Sequence, residues 1–305
     1  MKKSFYVLYI LLAGVLWGSS CIFVGFLSDA GFSATQCTAI RITTAAIILN
    51  LAVIIKGRGF KAYKLPIPAL LLAAASGIFS VLSMCVFYYY CMLRTTAAVS
   101  AILLYTAPFF VMIMSLIFFG EKLSVKKIAV FITALVGCAL ASGIVSGVSG
   151  DSLGIIFGIL SGLSYSLYGI FASFYMKYSS DTLTYSALNF AFAAIGTLFL
   201  SNPLVLVSET LAAPNKLILI LVFVIFGVSN AVLPFTLYTK GLKGVRPDVA
   251  SILAFSEPLT AAVLGIAVLR QPSDIFQILG ILLVTLAIVA LNININLNIK
   301  KKKSK

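Results

Sequence analysis

The chain contains a succession of apolar segments, most of them about as long as a helix needs to be to cross a lipid bilayer. A transmembrane helix requires about 20 mostly apolar residues. Only 10% of the residues are charged, too few to cover the surface of a soluble domain of this length. The sequence therefore predicts an all-α polytopic membrane protein without a separate soluble domain.

Ten segments are candidates for transmembrane helices. The first follows a basic start, as a signal peptide would, but it is long enough to span the membrane and we expect it to be retained. The ten candidate helices cover residues 5–27, 33–55, 67–90, 97–119, 125–145, 152–176, 182–203, 216–239, 248–269 and 274–297.

The positive charges divide unequally between the two sides of this topology. Eighteen of the 22 Lys and Arg residues fall in the termini and in the loops that share their side, and three fall in the opposite loops. Cytoplasmic loops carry such an excess of basic residues. We therefore expect a multi-pass protein of the cell membrane with both termini in the cytoplasm.

The net charge of +14 does not indicate a nucleic-acid partner, because the basic residues lie in short loops and tails between apolar spans. Membrane lipids are the expected surroundings, with the basic tail at the anionic inner leaflet. The chain has no histidine and its five cysteines form no CxxC pair, so we expect neither a metal ion nor a cofactor.

The two halves of the chain are similar to each other. A shift of 150 residues aligns SAILLYTAPFF with ASILAFSEPLT and brings Pro108 onto Pro258. Because each half would hold five helices, an odd number, the second half would enter the membrane in the opposite orientation, as in many secondary transporters. We predict two inverted five-helix repeats around a central cavity, followed by a basic tail, at residues 1–147, 148–299 and 300–305.

Several short motifs occur in a characteristic order. They are GVLWGSS at 14–20, AIR at 39–41, AVSAILLYTAPFFVMIMSLIFFGEKLS at 98–124 and RPDVASILAFSEPLTAAVLGIAVLRQPS at 246–273. The pattern covers nearly the whole chain and resembles the EamA-type family of the drug/metabolite transporter superfamily. The resemblance implies a ten-helix carrier with two-fold pseudosymmetry, in a family whose members carry amino acids, drugs, nucleosides, amines and other metabolites. The second half has Arg270-Gln271 where many relatives show Gly-Glu, whereas the first half keeps its acid at Glu121.

Glu257 is the candidate for the central site. It lies about ten residues into the ninth helix, hence ~15 Å deep at 1.5 Å per residue, where a carboxylate tends to face a cavity or a partner. Pro258 beside it removes a helix hydrogen bond and leaves the carbonyl of Ala254 without its usual donor, and we expect Pro258 and its equivalent Pro108 to act as hinges. Glu257 would bind a cationic substrate or a coupling proton. The alternative is a structural acid that is hydrogen-bonded to neighbouring helices.

Arg41 is the other charged residue inside the membrane core, ~12 Å from the outer end of the second helix. Three roles are open: an ion pair with Glu257 across the cavity, a two-pronged contact with a substrate carboxylate, or packing against backbone carbonyls. Asn189 and Asn230 are buried amides that either line the cavity or bond neighbouring helices together. Gly14 and Gly18 allow close helix packing within a monomer or, alternatively, at a dimer interface.

Aromatic rings that converge with an acid can hold an amine or a quaternary ammonium ion, although a single ring is more often a packing residue. Tyr90 and Tyr238 lie near helix ends and are expected in the aromatic belt at the membrane surface. The aromatic residues proposed for the substrate site are instead Trp17, Tyr88, Tyr105 and Tyr168.

These features favour a secondary carrier that moves a small organic metabolite or drug by alternating access. Export is expected on family grounds, either coupled to protons through Glu257 or uncoupled; uptake of an amine such as choline is the alternative. The sequence has no GxxxxGK[ST] loop, so ATP does not drive the carrier directly. An intramembrane enzyme is disfavoured because the core offers one acid and no histidine, and a channel because no rings of like polar residues are evident.

Overall fold

A computed structural model shows a mostly helical protein, which confirms the expected all-α class. It describes residues 3–95, 97–121, 124–141, 152–268, 270 and 275–303. The α-helices of the first half are α1 (Lys3–Gly18), α2 (Ser20–Asp29), α3 (Ala34–Val53), α4 (Ile67–Ala75), α5 (Ser83–Arg94), α6 (Ala97–Leu104), α7 (Ala107–Phe119) and α8 (Val125–Ala141). Those of the second half are α9 (Ser152–Tyr175), α10 (Thr182–Thr197), α11 (Pro203–Ala212), α12 (Lys216–Gly227), α13 (Leu233–Gly241), α14 (Pro247–Leu253), α15 (Ser256–Ala267) and α16 (Ile275–Lys303).

Shorter helical turns extend or join some of these helices. After α3 the chain passes through a π-helical turn and then a 3-10 helix, at Ile54–Arg58 and Gly59–Tyr63. π-helical turns also join α4 to α5 at Ser76–Leu82 and α12 to α13 at Val228–Val232. The last two lie in corresponding segments of the two halves.

Seven helical stretches among the described residues are long and apolar enough to cross a membrane. They are Ser4–Asp29, Ala34–Lys56, Ile67–Arg94, Val99–Phe119, Ser152–Tyr175, Lys216–Gly241 and Pro247–Ala267. Of the three other predicted spans, 125–145 contains α8, 182–203 contains α10 and 274–297 contains α16.

Two helix ends differ from the sequence-based expectation. α10 ends at Thr197, and the connection that follows contains a helix of its own, α11. Asn202 caps that helix by accepting a hydrogen bond from Leu204 N at 3.0 Å, and Pro203 is favourable in its first turn, where a backbone N–H has no helical partner. α16 continues to Lys303, so it includes most of the segment expected to be a tail.

The fourth and ninth predicted helices are each interrupted once, at nearly equivalent positions. α6 and α7 are separated at Tyr105–Thr106, and α14 and α15 at Ala254–Phe255, so under the shift of 150 residues the second break lies one residue earlier than the first. Each break lies just before Pro108 or Pro258, whose missing N–H and bulky ring disfavour a continuous helix. Pro258 cannot supply the usual donor to the carbonyl of Ala254, and Glu257 N donates to it instead at 2.9 Å.

The packing of the helices maps onto itself when the halves are exchanged. α1 packs against α13 and α15, and the equivalent α9 packs against α5 and against α6 and α7. Two further pairs join each element to its own counterpart, α3 with α10 and α8 with α16, and the fourth and ninth predicted helices meet where α7 packs against α14. This pattern is what a two-fold pseudosymmetric arrangement requires. The opposite insertion of the halves into the membrane stays a prediction.

Glycines on α1 allow its close contact with α15. A Cβ on Gly14 would overlap Ser256 Oγ, and one on Gly18 would overlap the backbone oxygen of Glu257. The equivalent contact in the other half joins Gly162 of α9 to Thr106, the counterpart of Ser256. Gly14 and Gly18 therefore serve packing within one chain, which was the first of the two expectations.

We expect the substitution Gly18→Ala to destabilise the protein by about 1–3 kcal/mol, because the added methyl group meets the backbone of α15. The free energy of unfolding in mixed micelles measures this change. Gly25→Ala is the matched control, since a Cβ there has nothing within 4 Å. Equal stability of the two variants would show that the contact between α1 and α15 is not tight.

Candidate functional site

Glu257 lies at the middle of the 21-residue stretch Pro247–Ala267 and in the first turn of α15. The N-terminal turn of a helix is a favourable place for a carboxylate, because its N–H groups point towards that end. Tyr165 of α9 donates its hydroxyl to Glu257 Oε2 at 3.1 Å. The side chain of Glu257 is half-buried. The helix break thus presents a partnered carboxylate halfway along the segment.

The position of α15 is determined largely by its contact with α1. Ser256, the residue before Glu257, donates its hydroxyl to Leu11 O of α1 at 3.2 Å. The close approach at Gly14 and Gly18 lies beside this hydrogen bond. Both contacts involve backbone atoms, which leave little freedom for a side-chain rearrangement. The start of α15, and with it Glu257, is therefore fixed relative to α1.

Arg41 of α3 lies close enough to Glu257 for the two charges to interact electrostatically. They do not form a direct ion pair: Arg41 Nη2 instead contacts Cys85 Sγ of α5 at 3.5 Å. Both Arg41 and Tyr88 are half-buried, and Tyr88 is also within electrostatic range of Glu257. A direct pair across the cavity, one of three expectations for Arg41, is thus absent, and its contact with substrate stays a prediction.

An aromatic pocket lies on the other side of Tyr165, between α7 and α14. Its lining includes three of the aromatic residues predicted for the site, Trp17, Tyr105 and Tyr168, and the predicted hinge Pro108. Trp17 is the centre of the aromatic contacts, with ring centroids 5.0 Å from Phe235, 5.5 Å from Tyr238 and 6.2 Å from Tyr165. Glu257 is not part of the lining, but it contacts the pocket through the Tyr165 hydroxyl.

The pocket is narrow. A sphere the size of a water molecule has little freedom between its atoms. Sites for small organic molecules enclose most of the ligand surface and need several hundred Å³ of usable volume. A solute can therefore occupy this pocket only after the surrounding helices move apart.

Two tyrosines of the pocket differ from expectation. Tyr238 was expected in the aromatic belt at the membrane surface, but it is buried and contacts Trp17, so that prediction was wrong. Tyr90, the other residue expected in the belt, is exposed. Tyr165 was not among the predicted site residues. A signal was available, because residues three apart lie on the same face of a helix and Tyr165 precedes Tyr168 by three.

The two buried amides belong to other parts of the molecule's polar interior. Asn189 donates to Ser76 Oγ, and Tyr185 also donates to Ser76, at 2.7 Å. Asn230 lies in the π-helical turn between α12 and α13 and donates to Ser229 Oγ at 2.9 Å. The side-chain oxygens of both amides have no hydrogen-bond partner among the described residues. Asn189 thus joins neighbouring helices, whereas contact of either amide with a substrate stays a prediction.

The site offers no obvious place for a metal ion. Within the described ranges, no group of three or more Cys, Asp or Glu side chains is arranged as metal ligands. The chemistry that remains is that of one carboxylate, one guanidinium, several phenols and an indole. Such a set can bind a solute or exchange a proton.

Comparison with known proteins identifies the kind of molecule that shares this architecture. A model of the EamA-like transporter family matches residues 4–143 and again residues 152–293. An uncharacterized transporter of Archaeoglobus fulgidus is 30% identical over 187 residues, which cover 61% of this chain and 63% of the relative. The uncharacterized transporter YxxF of Bacillus subtilis is 24% identical over 287 residues, or 93% of this chain and 88% of the relative.

A solved crystal structure has the same fold. It aligns with a TM-score of 0.73 at 15% sequence identity and covers 94% of this chain and 97% of its own. The likeness thus extends over almost the whole of both chains.

We expect Ser76→Ala to cost about 1–3 kcal/mol of stability, because two buried donors, Tyr185 and Asn189, lose their shared acceptor. The midpoint of thermal unfolding in detergent reports this loss. Ser208→Ala is the control, since that exposed hydroxyl bonds only within its own helix turn. If both variants unfolded at the same temperature, the network around Ser76 would contribute nothing to the stability of the fold.

Proposed function

Because the chain belongs to the EamA-like transporter family, we propose that it is a secondary carrier that moves a small organic solute by alternating access. The family is one of transporters and the homologues are named as transporters, so the protein is not an enzyme. Its helices make it a multi-pass membrane protein. Solute class, direction of transport and proton coupling belong to the proposal.

The observation that carries the proposal is the break between α14 and α15. It places Glu257 in the middle of an apolar segment, half-buried and hydrogen-bonded to a tyrosine of a narrow aromatic pocket. Broken helices near the membrane midplane form the substrate and ion sites of many secondary transporters. An intramembrane carboxylate of this kind is a default candidate for a proton or cation site. Glu257 would exchange a proton while the solute occupies the space beside Tyr165.

The aromatic pocket favours a solute with an apolar body and a small cationic group. Trp17 and Tyr165 present ring faces and edges, and Glu257 supplies the only acid in their neighbourhood among the described residues. Cations bind to such rings with the help of the ring quadrupole. A drug or metabolite carrying an amine thus fits the export role that we propose, and uptake of an amine such as choline remains the second candidate.

The orientation of the carrier follows from its charges. The basic residues lie overwhelmingly on the side of the termini, so we propose that both termini face the cytoplasm of a cell membrane. Glu121, Lys127 and Arg246 would then mark the cytoplasmic end of the bundle, and Gln36 and Glu209, joined at 2.6 Å, would mark the outer end.

We expect Glu257→Gln to abolish accumulation of the solute driven by a pH gradient, because an amide cannot bind and release the coupling proton. A thermal-shift screen of the purified protein against amines, amino acids, nucleosides and drugs would first identify a solute. Accumulation would then be measured in liposomes with an imposed pH gradient, and counterflow without a gradient.

The matched control is Glu209→Gln, which makes the same change at the exposed outer carboxylate. It should leave both measurements unchanged. Undiminished pH-driven accumulation in Glu257→Gln would exclude Glu257 as the proton site. Flux that does not saturate and shows no counterflow would exclude a carrier.

A further inference from the structure

Four charged side chains meet at one end of the bundle, where α7 ends and α14 begins. We call Glu121, Lys127, Arg246 and Asp248 the ion cluster. Lys127 Nζ is bonded to Asp248 Oδ2, and Arg246 Nη1 to Glu121 Oε2. Arg246 Nη2 lies 2.9 Å from Asp248 Oδ2. The side chain of Asp248 is only 2% exposed, so its charge depends on these two cations rather than on water.

Two of the bonds in the ion cluster cross between the halves of the chain. Lys127 in the first turn of α8 and Glu121 after α7 belong to the first half, whereas Arg246 and Asp248 belong to the second. The bonds Lys127–Asp248 and Glu121–Arg246 therefore tie the halves together, and the bond Arg246–Asp248 lies within one half. Removing a cross bond weakens the attachment between halves without leaving Asp248 unpaired.

The ion cluster lies directly beyond the aromatic pocket. Ser251, which lines the pocket, is one turn further along α14 and donates its hydroxyl to Asp248 O at 3.0 Å. Val111 of α7 lines the same pocket, so two of the helices that border it, α7 and α14, are those whose ends the cluster joins. A solute leaving the pocket towards this end would have to pass between α7 and α14.

The internal repeat does not duplicate the ion cluster. The shift of 150 residues relates its four positions to uncharged ones, which are Thr96, Ala98, Gln271 and Gln277. The two ends of the bundle therefore differ in this respect, although the helices that form them are equivalent. Such a difference biases a two-state carrier towards one of its states.

We propose that the ion cluster is a latch that closes the cytoplasmic mouth of the pocket and opens when the carrier faces the cytoplasm. The latch rests on the proposed carrier function, because it assumes a pocket that opens alternately. Its bonds hold α7 against α14 while the outer end can open. The cross bonds must break before a solute can enter or leave on the cytoplasmic side.

The latch can be tested without knowing the solute, through the accessibility of position 251. Ser251→Cys places a thiol in the pocket, and a membrane-impermeant maleimide is applied to the cytoplasmic side in inside-out vesicles. The chain without Ser251→Cys measures the background from its five native thiols. Labelling is compared in three backgrounds: the unchanged cluster, the double variant Lys127→Met with Glu121→Gln, and Lys126→Met. The double variant removes both cross bonds and keeps the pair Arg246–Asp248.

We expect the double variant to raise the rate of cytoplasmic labelling roughly 5- to 10-fold, the lower end of typical couplings between two sites. The exposed Lys126 takes no part in the ion cluster, so Lys126→Met should leave the rate unchanged. Equal labelling rates in the double variant and in Lys126→Met would overturn the latch. If the double variant does not fold, Glu121→Gln alone must still exceed the control, because it frees only a partly exposed pair. Labelling needs no transported solute, so the latch and the carrier function can fail independently.

Discussion

The structure depends on the need to accommodate a carboxylate in the middle of an apolar segment. Neither Glu257 nor the free backbone groups of an interrupted helix can find water in a hydrocarbon layer, so both require partners within the protein. The backbone N–H of Glu257 donates to Ala254 O, three residues earlier. The carboxylate of Glu257 accepts a hydrogen bond from the Tyr165 hydroxyl. The close contact of α15 with α1, which the glycines of α1 allow, fixes the position of this first turn.

Pseudosymmetry explains the framework, and departures from it explain the chemistry. Both halves have a π-helical turn in the third segment and a break in the fourth, and the glycine contacts at the breaks correspond. The charged groups at the centre do not correspond. The shift of 150 residues relates Glu257 to Ala107 and Arg41 to Ala191. The repeat thus supplies two similar bundles that can move relative to each other, while single substitutions supply a charge at the centre and a charged cluster at one end.

The architecture could be predicted from the sequence because it follows from local properties. Apolar length predicts helices, and the two prolines predict interruptions in the segments where they occur. Side-chain orientation could not be predicted in the same way. Distance from a helix end suggested that Tyr238 faces the membrane surface, but the contact between α1 and α13 directs its ring to Trp17. Likewise, the bond between Lys127 and Asp248 joins residues that are 121 positions apart in the chain. The number of basic residues in each loop does not predict which acid such a residue will meet.

The break between α14 and α15 also connects the central acid to the ion cluster. Asp248 and Glu257 lie in one segment, ~14 Å apart along its axis at 1.5 Å per residue. The part before the break, α14, is bonded to the first half at its start, whereas the part after the break is held by α1 at Ser256. If the bonds of the ion cluster break, α14 can swing away from α7 about the break while α15 stays in place. Pro258 would then act as the expected hinge, and the Tyr165 hydroxyl would keep Glu257 in contact with the pocket during this movement.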